Sequence, residues 1–204
     1  MSNLNRMIAI DNISRNKFIY VNMDGHANFS GTNGAGKTTT LRASLLFFGS
    51  RPGEIAKAKG DSFDGFAKFY FPNTTSYLVF EYIRAGKTLC VVCSKTNEQV
   101  QYQFLDTAFD ETFFLTEKNN RKLIVDSSIL RMNVEKIGHE LTRKIGPDVY
   151  ASIIQSNQPY RNKIGAYQLI RDLRPKYSLP IQGKSILNID RVLTNIFSSK
   201  ASVA

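Results

Sequence analysis

The chain has 204 residues, 42% hydrophobic and 22% charged, with a formal net charge of +10 and a pI of about 9.6. Such a chain can bury a core, which excludes wholesale disorder. No apolar run nears the roughly 18 residues of a membrane span, no apolar signal core follows Met1, and two cysteines cannot make a disulfide framework; a cytoplasmic location is expected.

The charge is uneven. Residues 1–140 carry 17 Lys/Arg against 14 Asp/Glu, whereas residues 141–204 carry 10 against 3. A basic C-terminal third suits a phosphate-rich partner, and equally a solvated basic face or an acidic partner chain. Arg161, Lys163, Arg171, Arg174 and Lys176 are its candidate DNA contacts, with Lys57, Lys59 and Lys68 nearer the N-terminus.

In chain order, Met7 to Ile13 and Phe18 to Val21 read as two strands joined by a turn, and Ala27 to Ser30 as a short strand running into glycines. Thr38 to Phe48 reads as a helix, stopped by Gly49-Ser50-Arg51-Pro52-Gly53. Residues 54–75, polar and punctuated by glycine, read as a long surface excursion. Ser76 to Arg84, Thr88 to Ser94 and Val100 to Leu105 predict a meander, and 106–122 a loop or short irregular pieces. Val134, Ile137, Leu141 and Ile145 recur at helical spacing, with Gly146-Pro147 as the stop. Tyr150 to Ile154 reads as a short buried strand, Ile164 to Leu173 as a helix ending before Pro175, and Ile186 to Phe197 as an amphipathic stripe.

One motif carries chemistry. Gly31-Thr32-Asn33-Gly34-Ala35-Gly36-Lys37-Thr38 fits the phosphate-binding pattern G-x-x-x-x-G-K-[ST] at every position, between a predicted strand and a predicted helix. Glycines let successive backbone N–H groups turn inward around phosphate oxygens at the positive end of the helix. In that arrangement Lys37 reaches the β- and γ-phosphates, Thr38 ligates Mg²⁺ and Thr39 bonds the α-phosphate. A nucleotide with β- and γ-phosphates and Mg²⁺ are the expected ligands.

Three other patterns carry less. Gly86-Lys87-Thr88 repeats the letters of the motif but lies between predicted strands, as a hairpin turn. Cys90 and Cys93 share an apolar strand whose period of two sends them to opposite faces, against a metal or redox pair. His26 and His139 have no ligand-spaced companion.

A hydrolase of this class also needs an acid ending an apolar strand to hold Mg²⁺. Asp126 and Glu81 are the candidates, but Asp126 follows only Leu123-Ile124-Val125, and Glu81 continues into Tyr82-Ile83-Arg84. There is also no Ser-Gly-Gly signature.

A complete phosphate loop without the acidic half resembles the N-terminal half of an ABC-type ATPase head of the SMC superfamily. The run Phe29-Ser30-Gly31-Thr32-Asn33-Gly34-Ala35-Gly36-Lys37-Thr38-Thr39-Thr40-Leu41 is similar to MukB-like and JetC-like (Wadjet-type) ATPases, and Thr74 to Tyr82 to the strand that follows their phosphate-loop helix. The resemblance implies an α/β P-loop NTPase lobe, a mixed sheet or meander packed on the P-loop helix, over 1–155. A basic helical segment, 156–204, then leads toward a coiled coil. It implies that the signature motif and the acidic residues come from a C-terminal half. Two heads then sandwich ATP, working on DNA in a nucleoid-associated setting with kleisin-like and accessory subunits. It further implies a strand-end glutamine that reaches Mg²⁺ and the attacking water, a role that falls to Gln155 after Ala151-Ser152-Ile153-Ile154, with Gln158 as the rival. Two other readings stay open: a self-contained P-loop kinase or NTPase using Asp126 or Glu81, and a basic DNA-binding module with a vestigial P-loop.

Overall fold

The computed structural model describes residues 3–12, 14–24, 37–57, 63–156 and 164–180. The architecture is mixed α/β, and the chain divides into two units: residues 1–27 with 67–146, and residues 28–66 with 147–204.

The first unit is built on a five-stranded antiparallel sheet in the order β2-β1-β3-β4-β5, comprising β1 (Asn3–Ile10), β2 (Phe18–Asn22), β3 (Tyr77–Arg84), β4 (Lys87–Thr96) and β5 (Gln99–Leu105). Tight turns set the meander: Ala85 and Gly86 have φ of 49° and 79°, Asn97 and Glu98 of 50° and 56°, the left-handed pair that two-residue hairpins require. Register places Ile8, Val79, Val92 and Gln103 in one cross-strand row. That face carries Ile8, Ile10, Tyr77, Val79, Cys90, Val92 and Leu105 into a core with Phe109, Phe113, Phe114, Val125, Leu130 and Val134. Each such aromatic or branched side chain contributes about 1.5–3 kcal/mol on burial. Cys90 and Cys93 are both buried free thiols on β4, and burial pushes both up from the ordinary thiol range. The hairpin expected at Gly86-Lys87-Thr88 is present.

Three expectations for this unit need correction. Residues 106–122 hold more than a loop or irregular pieces: after 106–110, a 3-10 turn (Glu111–Phe114) precedes a hairpin of β6 (Leu115–Lys118) and β7 (Arg121–Ile124), reversed at Asn119 and Asn120 with φ of 52° and 56°. No helix runs from 134 to 145. The helix α4 is Ser127–Lys136, and Gly138 at φ 84° turns the chain out of it. Leu141 and Ile145 instead bridge to Leu105 and Tyr102 on β5, so 141–145 covers the outer edge of that strand. A four-residue spacing lies on one face of a strand as well as of a helix, which is why the periodicity misled. The strand expected at Met7 to Ile13 is Asn3–Ile10, with Asn12 past its end and Ile13 outside the described residues.

Past β1, Asp11 is buried and accepts from the Asn16 N–H at 2.6 Å, the Asn73 side-chain amide at 3.1 Å and the Thr75 hydroxyl at 2.5 Å. The Ser76 hydroxyl donates to the Asp11 carbonyl at 2.6 Å. A buried carboxylate thus pins the β1–β2 turn to the entry of β3.

The second unit holds α1 (Lys37–Phe47), α2 (Pro52–Lys57), α5 (Pro147–Ile154) and α6 (Ile164–Tyr177), while α3 (Phe63–Tyr70) crosses the division. The excursion expected over 54–75 is therefore partly helical. It buries Ile55, Ala56, Phe66, Ala67, Tyr70 and Phe71, and its glycines do not prevent helix. Tyr150 to Ile154 is helix rather than strand, because Pro147 occupies the first helical position, where its missing N–H costs nothing. α6 runs through Pro175 in its last turn, where the missing N–H forgoes one intrahelical bond. The expected strand Ala27 to Ser30 and the stripe Ile186 to Phe197 lie outside the described residues.

Candidate functional site

The helix α1 begins at Lys37, the lysine of the phosphate-loop pattern, and no acidic residue occupies its first turn. A helix start free of carboxylates favours an anion, since the unpaired N–H groups and the helix dipole both point at it. The residues Gly31, Thr32, Asn33, Gly34, Ala35 and Gly36, and the side chains of Lys37 and Thr38, lie outside the described residues; Thr39 is half-buried in the first turn.

The far end of α1 is defined in detail. Phe48 N–H donates to Leu45 O, Gly49 N–H to Leu46 O and Ser50 N–H to Leu45 O, closing the last turn. Gly49, at φ 89°, supplies the left-handed residue this closure needs. Two carbonyls of that end are taken by α5 and the residue after it. The Tyr150 hydroxyl donates to Phe47 O at 2.6 Å and the Gln155 side-chain amide to Phe48 O at 2.7 Å. A Cβ on Gly49 would lie 2.9 Å from Gln155 Nε2 and 3.1 Å from the Ala151 Cα, so only glycine lets α5 come this close. Arg51 adds an exposed ion pair to Asp148 at 2.9 Å.

This placement corrects the element read for Gln155. It follows a helix, not a strand; it is only 4% exposed, and its side-chain N–H donates to the C-terminal end of α1. Phe48 stands 11 residues beyond Lys37, roughly 16 Å along the helix at 1.5 Å per residue. Gln155 thus has a backbone carbonyl as a partner at the end of α1 remote from Lys37. Gln158 lies outside the described residues.

Both candidate magnesium acids have structural employment. Glu81 is 3% exposed; Oε1 accepts from Asn5 Nδ2 at 2.9 Å and Arg6 Nε at 2.8 Å, Oε2 from Arg6 Nη2 at 3.0 Å and the Phe109 N–H at 2.9 Å. Those four bonds fill the acceptor capacity of a carboxylate. Burial alone would raise its pKa, but the Arg6 guanidinium, the Phe109 N–H and Asn5 together hold it below the ordinary carboxylate range. Asp126 caps α4, accepting from the Ser128 hydroxyl at 2.5 Å and from the Ser128 and Ile129 N–H groups at 2.9 and 3.1 Å. These bonds, the Ser128 hydroxyl foremost, pull its pKa down. Among the described residues no group of three or more His, Cys, Asp or Glu is placed to hold a metal ion.

The basic candidates separate as well. Lys68 on α3 and Arg171 on α6 are exposed. Arg174 is half-buried, its Nε donating to Ser152 O at 2.9 Å, so it joins α6 to α5. Lys176 lies exposed in the last turn of α6. Lys59, Arg161 and Lys163, the side chain of Lys57, and His26 are outside the described residues. His139 Nδ1 lies 3.2 Å from Asp106. Among the described residues no helix is long and apolar enough to cross a membrane.

Sequence reasoning missed Tyr150, hidden by the strand reading, and the double constraint on Gly49, which showed only as a helix stop. The sequence signal was Pro147 followed by Asp148, a helix start.

A family model described as "Protein of unknown function (DUF3584)" matches residues 9–204. No curated protein and no solved structure matches the chain.

Proposed function

We propose, since the chain belongs to the DUF3584 family, which is associated with RecF/RecN/SMC-like proteins, that it is the ATP-binding half of an SMC-type ATPase head. The observation that carries the reading is the coincidence of motif and element: α1 starts at the lysine of a complete G-x-x-x-x-G-K-[ST] pattern, with no carboxylate in its first turn. In this reading the chain has a P-loop NTPase fold, residues 31–39 hold Mg·ATP, Lys37 neutralises the β- and γ-phosphates and Thr38 ligates the metal. The employment of Glu81 and Asp126 in the fold supports an acid supplied from elsewhere, namely a C-terminal half of the same head. It counts against a self-contained kinase or NTPase. The finer identity proposed is a MukB-like or JetC-like ATPase that pairs with a second head and works on DNA, with kleisin-like and accessory subunits, in the cytoplasm.

The test is equilibrium binding of Mg·ATP to the full chain and to Lys37→Ala, followed by ATPase assays with and without a co-expressed C-terminal half. Binding that depends on Lys37, with turnover only in the presence of the second half, supports the reading. Equal binding by the variant, or full turnover by the chain alone, refutes it.

A further inference from the structure

The end of α1 remote from the phosphate loop is held by more than a helix needs. Gly49 already closes the last turn through backbone bonds. Yet Tyr150, fully buried, and Gln155, 4% exposed, each direct a polar group at one further carbonyl, Phe47 O and Phe48 O. A buried hydroxyl and a buried amide on the same two-residue stretch of backbone fix α1 both along its axis and about it. The Ala151 backbone, which would lie only 3.1 Å from a Cβ on Gly49, leaves no slack.

The contacts continue. The Gln155 N–H donates to Ala151 O at 3.0 Å, so the residue that grips α1 is itself bonded to the last turn of α5. Ile154 O then accepts from the Leu179 N–H at 2.9 Å, and Ser152 O from Arg174 Nε at 2.9 Å. A continuous chain of hydrogen bonds therefore runs from the C-terminal carbonyls of α1 through α5 to the end of α6.

We infer that Tyr150 and Gln155 are positioning residues for nucleotide binding: they clamp the C-terminal end of α1, set the aim of its N-terminal N–H groups, and pass the nucleotide state to the end of α6. The inference rests on the nucleotide-binding reading and deepens it. A helix free to slide or rotate would have to be ordered by the incoming phosphates, and that ordering would subtract from affinity. By linkage, whatever the clamp adds to nucleotide affinity, nucleotide returns as added order along the clamp.

Tyr150→Phe removes one oxygen from a buried ring and is the cleanest perturbation. Tyr77→Phe is the matched control, because the Tyr77 hydroxyl makes an equally buried bond to Val125 O at 2.7 Å in the sheet unit. Both variants lose one buried neutral hydrogen bond and are expected to melt at similarly lowered temperatures. Mg·ATP binding is measured on the full chain, together with amide hydrogen exchange at Gln155 and Leu179 with and without nucleotide. Wild type and Tyr77→Phe are expected to bind alike and to slow exchange at both amides when nucleotide is added. Tyr150→Phe is expected to bind roughly threefold to tenfold more weakly and to lose most of that slowing, with Gln155→Met behaving in the same direction. Nucleotide affinity and Leu179 exchange in Tyr150→Phe that match Tyr77→Phe overturn the clamp while leaving nucleotide binding intact. Failure of wild type to bind Mg·ATP overturns the underlying reading, and the clamp's role with it.

Discussion

Replacing Gly49 by alanine tests the geometry around α1 with a single methyl group. Two costs are separable. At φ 89° any Cβ meets its own backbone, which costs about 1–2 kcal/mol. The new methyl also falls 2.9 Å from Gln155 Nε2 and 3.1 Å from the Ala151 Cα. The amide can swing aside only by giving up its bond to Phe48 O, and the Ala151 backbone can retreat only if α5 moves. Overpacking of this kind costs about 1–3 kcal/mol, for a sum near 2–5 kcal/mol. Gly86→Ala supplies the reference, since Gly86 has φ 79° and nothing within 4 Å of its would-be Cβ; it retains the first cost only. In thermal melts, with about 2–4 °C per kcal/mol for a chain this size, the two variants should differ by several degrees, Gly49→Ala being the less stable. Equal melting temperatures would refute the close packing of α5 on the end of α1.

The Glu81 cluster makes stability depend on pH. Its folded pKa lies below its unfolded value, so its contribution is complete above the ordinary carboxylate range and fades as pH falls through the lower folded value. Acid titration of wild type against Glu81→Gln should show this component in wild type alone, and identical acid limbs would exclude it. Glu81→Ala should cost about 3 kcal/mol, the low end for a broken buried pair, because Arg6 keeps 32% exposure and can rehydrate. Asp126→Ala removes the α4 cap and should cost about 1 kcal/mol in urea denaturation while leaving Mg·ATP binding untouched; lost binding would restore Asp126 as a magnesium ligand.

The parts of the fold legible in the sequence are those where one physical signal acts alone. Strands β3 to β5 alternate or run apolar between tight turns, and α1 sits between a glycine-rich motif and Gly49. Where two readings share a signal, the sequence misleads. Leu141 and Ile145 satisfy helical and extended spacing alike. Gly146-Pro147 reads as the stop of one helix, although Pro147 opens the next. Five residues from Tyr150 to Ile154 are too few for periodicity to separate helix from strand, and Gln155 inherited its strand-end role from that ambiguity. Asn119-Asn120 was a turn signal inside a stretch too polar to suggest β6 and β7. Of the candidate site, the motif and the helix it opens could be read directly. The partners of Glu81, Asp126 and Gln155 could not, since those bonds depend on tertiary approach.

The clamp on α1 also orders events in time. Phe47 and Tyr150 stand 103 residues apart in the chain. Closing a flexible loop of that length costs on the order of 4 kcal/mol in chain entropy. During synthesis the helix that opens at Lys37 emerges long before Tyr150 and Gln155 exist, so its last carbonyls must wait on water. Residues 67–146 lie between the two halves of the helical unit and belong to the sheet unit. Folding of that sheet first replaces most of the flexible loop with a finished connection and removes much of the entropic barrier. On this argument the helical unit is expected to be completed only once the inserted sheet has formed.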